Sequence, residues 1–565
     1  MNRHLLRNTL ACAALAALFV PGLASAKKKP EPGAPAMTFD TSEATPQAGK
    51  KAAAKDGGLA FAPEAPSAPA SKVLERALKL YDQEDYYSAT IELNKVVEGQ
   101  TADDEANKQR AEFFMGKALF KLKFFSASLS YFDRIVQKGG GHRYYRKTLE
   151  WLASLSQYLP ESAGVLEKIG KYGRADLDEP ALEPVRDQLY YLLGRFHYTK
   201  ANWKESLDLL QAVPEKSEYY AQSKFLEGMT YVRQQQAGQA KEAAKPASEA
   251  FKAILRKAKE RPDKRTMEFE EQANLALART FYALGQYQTA VKYYDKIESS
   301  SLLWLPSLFE SSWTFFQMDG DSKALGNIHT LNAPYFENEF YPESLILRAV
   351  IYFQRCNYDR AMEAVNDFNQ IYPGLKKDID NIIAKYPDNA DFYGYILKIR
   401  AGEAELGERV QRAAESSISD KTLSKALDYV AELDRELKQV DKSDPAWKST
   451  AVAGNILQDL TLQKSLAAND AGNLARERLK RLSTEITELV RQAIKVEYET
   501  LQAQKGVLEA EAKNEQVSAA SGAKKKGFGE VVADDEHEKW PFDGEYWKDE
   551  LGFYRFKVSN KCATR

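Results

Sequence analysis

Residues 276–297 read ALARTFYALGQYQTAVKYYDKI, and the order of side-chain sizes along this stretch decides the fold. Ala278 is small and Phe281, three residues on, is large. Leu284-Gly285-Gln286 reads as a turn, Tyr287 is aromatic, Ala290 is small again, and Tyr294 and Ile297 are large. The same offsets occur in Ala77, Leu80, Tyr86, Ala89, Leu93 and Val96, and in Gly116, Leu119, Phe125, Ser128, Phe132 and Ile135. Gly194, His197, Trp203, Ser206, Leu210 and Val213 repeat them, followed by Ser312, Phe315, Ala324, Ile328 and Leu331, and by Ala349, Tyr352, Tyr358, Ala361, Val365 and Phe368. A pattern that returns along half a chain is an internal repeat of one small supersecondary unit.

Physical chemistry gives the unit its shape. Spacings of three and four place the large residues on one helix face, and each small residue marks where a second helix crosses closely. Each unit is therefore an antiparallel helix pair with one apolar face uncovered, which only a neighbouring unit can bury. The predicted fold is all-α, a helix-pair solenoid over 71–373.

These small-large-aromatic-small-large positions resemble the tetratricopeptide repeat family, whose 34-residue period separates Gly194 from Gly228 and Ala278 from Ser312. The resemblance implies a concave surface lined by first helices that captures extended or helical segments of other proteins. Along that surface the expected partner-binding ladder is Tyr191, Tyr198, Phe225, Tyr282, Phe309, Trp313, Phe316 and Phe353, with Arg195 and Arg279 as polar readers between the rungs. A second reading stands beside it, in which the same side chains pack against the adjacent repeat.

Two units depart from the frame. Residues 144–169 keep helical apolar spacing, yet Pro160 and Glu167 fall where an aromatic and a core residue belong, which reads as a degenerate unit. The run Gln234 to Pro246 adds seven residues and predicts an outward bulge. Tyr372-Pro373-Gly374 closes the last clear unit. Over 374–512 long helices are expected: Leu423, Leu427, Val430, Leu433, Leu437 and Val440 form one stripe, and Leu479, Leu482, Ile486, Leu489, Ala493 and Val496 another. The two could form a hairpin, with the second stripe either packed within the chain or a coiled coil. Residues 513–565 read as a polar linker ending in an aromatic tail that includes Trp540, Tyr546 and Trp547, which either folds back or binds a partner.

At its start the chain carries Arg3 and Arg7, the apolar run Leu10 to Leu23, and Ala24-Ser25-Ala26, the pattern of a signal peptide cleaved after residue 26. Cys12 lies too early in that run to suit lipid attachment. Residues 27–70, dense in Ala, Pro and Lys, read as a flexible linker. No later stretch is long and apolar enough for a transmembrane span, so an exported chain is expected; the resemblance to envelope proteins of the tetratricopeptide repeat family implies a periplasmic location.

Composition narrows function. With 79 Lys and Arg against 81 Asp and Glu there is no broad positive field, which argues against nucleic acid as a partner. Three Cys and five His, none at metal-ligand spacing, imply no metal and no cofactor, and no nucleophile elbow or H-E-x-x-H motif is present. A lysozyme-like lobe, as in exported transglycosylases, finds little room in the last 160 residues. Cys356 and Cys562 could pair once exported, but a small buried Cys356 and a free tail thiol are the expectation. The sequence thus predicts a non-enzymatic scaffold; the tetratricopeptide resemblance implies that its partners are other envelope proteins, with a cell-wall binder whose terminal aromatics stack on peptidoglycan sugars as the alternative.

Overall fold

A computed structural model describes residues 68–238, 242–260, 264–336, 339–518 and 546–562; the expected signal peptide with Cys12, nearly all of the linker, and Trp540 lie outside the described residues. Every regular element among them is helical. Helix pairs follow one another: α1 (Lys72–Asp82) with α2 (Tyr86–Val97), α3 (Glu105–Lys121) with α4 (Phe125–Lys138), and α5 (Thr148–Tyr158) with the short α6 (Val165–Ile169). After the single turn α7 (Arg174–Leu177) come α8 (Glu183–Thr199) with α9 (Trp203–Leu210), α10 (Tyr220–Gln236) with α11 (Ala244–Glu260), and α12 (Lys264–Ala283) with α13 (Tyr287–Tyr294). The stack ends with α14 (Trp304–Gln317) and α15 (Asp321–Leu331), then α16 (Pro342–Gln354) and α17 (Tyr358–Lys385). Four further helices follow, α18 (Asn389–Ala401), α19 (Glu408–Ile418), α20 (Lys421–Lys442) and α21 (Pro445–Lys448), before the 68-residue α22 (Ala451–Ser518).

The repeat is also a repeat of backbone geometry. Glu84, Lys123, Ala201, Gly285, Asp319 and Cys356 each adopt a positive φ, between 57° and 71°, at the turn joining the first helix of a unit to its second. The next residue's N–H bonds the carbonyl five back: Asp85 to Leu80, Phe124 to Leu119, Asn202 to His197, Gln286 to Phe281, Gly320 to Phe315 and Asn357 to Tyr352, all at 2.8–3.0 Å. This is a Schellman-type ending, which supplies donors for the last carbonyls of the first helix. The small positions serve close crossing as their spacing predicts: a Cβ on Gly116 would lie 2.8 Å from the Phe132 ring.

The irregular units resolve simply. The degenerate unit keeps its first helix, α5, and shortens its second to the five residues of α6. The added residues after Gln234 partly extend the helices, α10 running to Gln236 and α11 starting at Ala244; the middle of the expected bulge, residues 239–241, lies outside the described residues. Pro373 does not end α17, contrary to the expected boundary; the helix runs through it to Lys385. Leu375, Ile379 and Ile382 bury against α18 and α22, and that burial outweighs the lost hydrogen bond at the proline.

The last third braces the stack. Trp447 of α21 is buried, donates Nε1–H to Thr90 Oγ1 at 3.0 Å and stacks on Phe124 with ring centres 5.9 Å apart. On α20, the carboxylate of Glu436, fully buried, accepts the N–H groups of Ser126 and Ala127 at 2.6 and 3.3 Å, capping α4, whose own N-cap residue Phe124 provides no side-chain bond. Helices α20 and α22 do form the expected hairpin, but out of the expected alignment. Leu433 and Val440 share a cluster with Val452, Ile456 and Leu460, while Leu479, Leu482 and Ile486 pack on α17 and α18, and Ala493 and Val496 on α16 and α17. The second stripe therefore packs within the chain. Gln463 reaches Ser130 near one end of the stack at 2.9 Å, and Gln504 reaches Asp359 near the other at 3.2 Å, so one helix about 100 Å long ties both ends together.

Candidate functional site

Of the expected ladder, the inner rungs are structural. Tyr282, Trp313 and Phe316 are 5%, 1% and 1% exposed, so they lie inside the core and offer nothing to a partner in this conformation. Trp313 and Phe316 meet edge to face at 5.9 Å, and Tyr282 meets Tyr287 at 5.4 Å. The remaining rings are half-buried and each is matched to a ring of its own or the next unit. Tyr191 stacks on Tyr219, Tyr198 meets Trp203, Phe225 sits between Phe251 and Phe269, Phe309 meets Tyr341, and Phe353 meets Tyr358. The arginines are committed too. Arg279 makes a two-pronged contact with the buried Glu310, Nε to Oε2 at 2.9 Å and Nη2 to Oε1 at 2.6 Å, while Tyr294 Oη–H donates to the same carboxylate at 3.1 Å. Arg195 pairs with Glu161, which Lys425 of α20 also contacts. Neighbouring helices pack close enough that an aromatic on one first helix reaches the next before it reaches solvent.

The tail folds back, and it does so on the stack. Tyr546 stacks on His329 with ring centres 4.4 Å apart, and Tyr554 and Phe556 meet the same imidazole edgewise at 4.9 and 5.1 Å. Burial, and after it Arg348, lowers the His329 pKa to about 4, so the ring is neutral in this seat at neutral pH. Backbone bonds fix the rest: Gly552 N–H donates to Thr330 Oγ1 at 2.9 Å, Phe556 N–H to the Ser322 carbonyl at 3.1 Å, and Lys561 N–H to the Arg355 carbonyl at 2.9 Å. Gly326 on α15 makes room, since a Cβ there would collide with the Tyr554 carbonyl. Cys562 forms a disulfide with Cys356, which overturns the expectation of two separate thiols. Cys356 sits in the turn between α16 and α17 rather than inside a helix, so its side chain faces the incoming tail. Trp547 stays 52% exposed.

Beside the seated tail lies a cleft of about 1260 Å³, floored by α14, flanked by α13 and α15, and walled by residues 548–555. Trp304, Phe315, Phe336 and Phe553 give it ring surfaces, Ser307 and Ser311 hydroxyls, and Lys323 and Arg555 positive charge. The Lys323 ammonium is held below its usual pKa by burial and then by Arg555, and it donates to the Gly552 carbonyl at 2.6 Å. Asn327, 1% exposed in the cleft wall, donates through Nδ2 to Ser311 Oγ at 2.8 Å, while its Oδ1 finds no partner among the described residues. Asp295 sits on the rim, its pKa raised by burial. Rings, hydroxyls, an amide and two cations thus line one concave surface, the composition common to ligand-binding clefts.

This cleft was not legible in the sequence. The six aligned frames and the ladder drawn from them direct attention to first helices, whereas the cleft opens between second helices and is completed by a tail more than 200 residues away. No helix among the described residues is long and apolar enough to cross a membrane, and no group of three metal-ligating side chains is found among them. No protein-family model matches the chain, and no curated protein matches its sequence.

Proposed function

We propose that the chain is an exported, non-enzymatic scaffold of the bacterial cell envelope, built on tetratricopeptide-like helix pairs, that captures segments of other envelope proteins. The observation that carries this reading is the seated tail: an extended aromatic segment is held on α15, α16 and their turns by ring contacts and by hydrogen bonds to its backbone. The neighbouring cleft offers the same kinds of surface over a volume suited to several residues of a second segment. The docking surface in this reading is that cleft, in place of the first-helix ladder. The Cys356–Cys562 disulfide supports residence in an oxidising compartment. Outer-membrane assembly, secretion and surface motility are the machines the reading admits, and a helix-pair fold does not choose among them.

The glycan-binding alternative loses support because Tyr546 and Tyr554, two of its stacking rings, are committed to His329. The test is photo-cross-linking in intact cells from a photoreactive residue replacing Trp304, run beside co-sedimentation of the purified mature chain with isolated sacculi. Discrete protein adducts with no sacculus retention are expected. Sacculus retention without protein adducts would replace this reading with the glycan one.

A further inference from the structure

Where α20 crosses the stack, a group of cations gathers that the chain's own carboxylates do not neutralise. Glu161 stands in the short turn Glu161–Ala163 between α5 and α6. One oxygen of its carboxylate, Oε2, contacts both Arg195 Nη2 from α8 and Lys425 Nζ from α20, and the side chains of Arg195, Glu161 and Lys425 are 25%, 26% and 24% exposed. Lys421, one turn before Lys425, lies on the same face of α20. It is half-buried and forms no ion pair or hydrogen bond among the described residues, and the charge that acts on it is that of Arg195. Its sequence neighbour Asp420 is spent elsewhere: that carboxylate caps α20 through the N–H groups of Thr422 and Leu423 and pairs with Arg478 of α22. Three cations therefore face one carboxylate, a formal excess of two positive charges in a partly covered place. Burial lowers the pKa of Lys421 and of Lys425 to about 8, Arg195 adding to the effect at Lys421, which is the direction expected where too little countercharge accompanies a buried ammonium.

From this we infer that Arg195, Lys421 and Lys425 form a binding site for a phosphate-sized dianion between α8 and α20. The two charges of such a ligand match the two left over, whereas a single carboxylate would leave one uncompensated. The arginine fork suits a tetrahedral oxyanion through two parallel bonds, and the two ammonium groups, on stems about 6 Å apart at Cβ, act as point charges beside it. Glu161 competes with the ligand, because its carboxylate draws on the same cations. With about three-quarters of these side chains covered, the site takes a small soluble phosphate; a lipid headgroup held in a bilayer does not reach so covered a place. The bound dianion would join α20 to α8, so binding is at the same time a tightening of the brace. None of these residues lines the cleft beside the tail, and the inference stands apart from what that cleft captures.

The test uses the full mature chain and inorganic phosphate at constant ionic strength. Calorimetric titration at neutral pH is expected to give a Kd of about 0.1–1 mM, and phosphate is expected to raise the melting temperature where acetate does not. Lys421→Gln should weaken binding about tenfold, the loss of one charge-assisted contact. Glu161→Gln removes the competing carboxylate and should tighten binding about threefold, so the two variants move the Kd in opposite directions. Lys438→Gln, on an exposed face of the same helix, should leave it unchanged. Co-sedimentation with vesicles of phosphatidylcholine and phosphatidic acid should be indifferent to Lys421→Gln. No binding below about 10 mM phosphate, equal effects of phosphate and acetate, or a Kd untouched by Lys421→Gln would each overturn the inference. So would weaker binding in Glu161→Gln, or vesicle capture that Lys421→Gln abolishes while free phosphate has no effect.

Discussion

Glu436 is a carboxylate with no exposed surface that serves as the cap of a helix more than 300 residues away in sequence, and its titration should be readable as stability of the brace. Burial, opposed by the N–H groups of Ser126 and Ala127 and reinforced by Glu432 on its own helix, pushes its pKa from 4.5 up to about 7. A carboxyl whose pKa is raised on folding holds its proton longer in the folded state. The stability it contributes is full below pH 4.5 and is lost as pH rises through 7. The change corresponds to about 3 kcal/mol, or about three-hundredfold in an opening equilibrium.

Glu436→Gln keeps the shape and one acceptor but cannot ionise. Hydrogen exchange of the 122–138 segment, normalised for intrinsic rates, should show the wild type better protected than the variant at pH 5, by about 1 kcal/mol for the bond lost to the second N–H. By pH 8 that order should disappear or reverse. Equal ratios of wild-type to variant protection at pH 5 and pH 8, within threefold, would refute the claim that a buried titrating carboxyl joins α20 to α4.

Ala201 holds the left-handed turn position with no side-chain role, so Ala201→Gly should stabilise the α8–α9 unit by about 1 kcal/mol in urea unfolding. Trp313→Ala should cost about 3–5 kcal/mol in the same assay, the cost of emptying a core site, where a rung exposed to a partner would cost little. With the disulfide removed by Cys562→Ser, acid should release the tail. The His329 pKa is lowered from 6.5 to about 4, so its contribution is full above pH 6.5 and fades as pH falls through 4, which Trp547 fluorescence at pH 7.5 and pH 4 would report.

What the sequence revealed was everything set by local spacing. Ala278, Phe281, Ala290 and their counterparts specify helix pairs because the period of an α-helix converts spacing directly into a face. Even the turn was visible at Leu284-Gly285-Gln286, although five of the six left-handed positions are not glycine and gave no signal. What stayed hidden depended on contacts between distant segments. Ala471 and Ala475 are too small to mark a stripe, yet they are the surface on which α22 meets α18 and α20. Trp313 and Tyr282 share the heptad-like placement of solvent-facing rings, and only the neighbouring helix shows that they are covered. The cleft needed the tail, and the tail's position needed Gly326, His329 and Cys356 to be brought together by the stack.

The most direct measurement of whether the cleft captures other proteins is the adduct yield from a photoreactive residue at Trp304 in cells carrying either of two variants. Arg555→Glu with Lys548→Glu reverses charge along the cleft wall, and Tyr198→Ser alters the first-helix face while leaving the cleft untouched. The account predicts that the first variant loses the adducts and the second keeps them. Adducts that survive charge reversal in the cleft but vanish with Tyr198→Ser would contradict it and return the docking surface to the first helices.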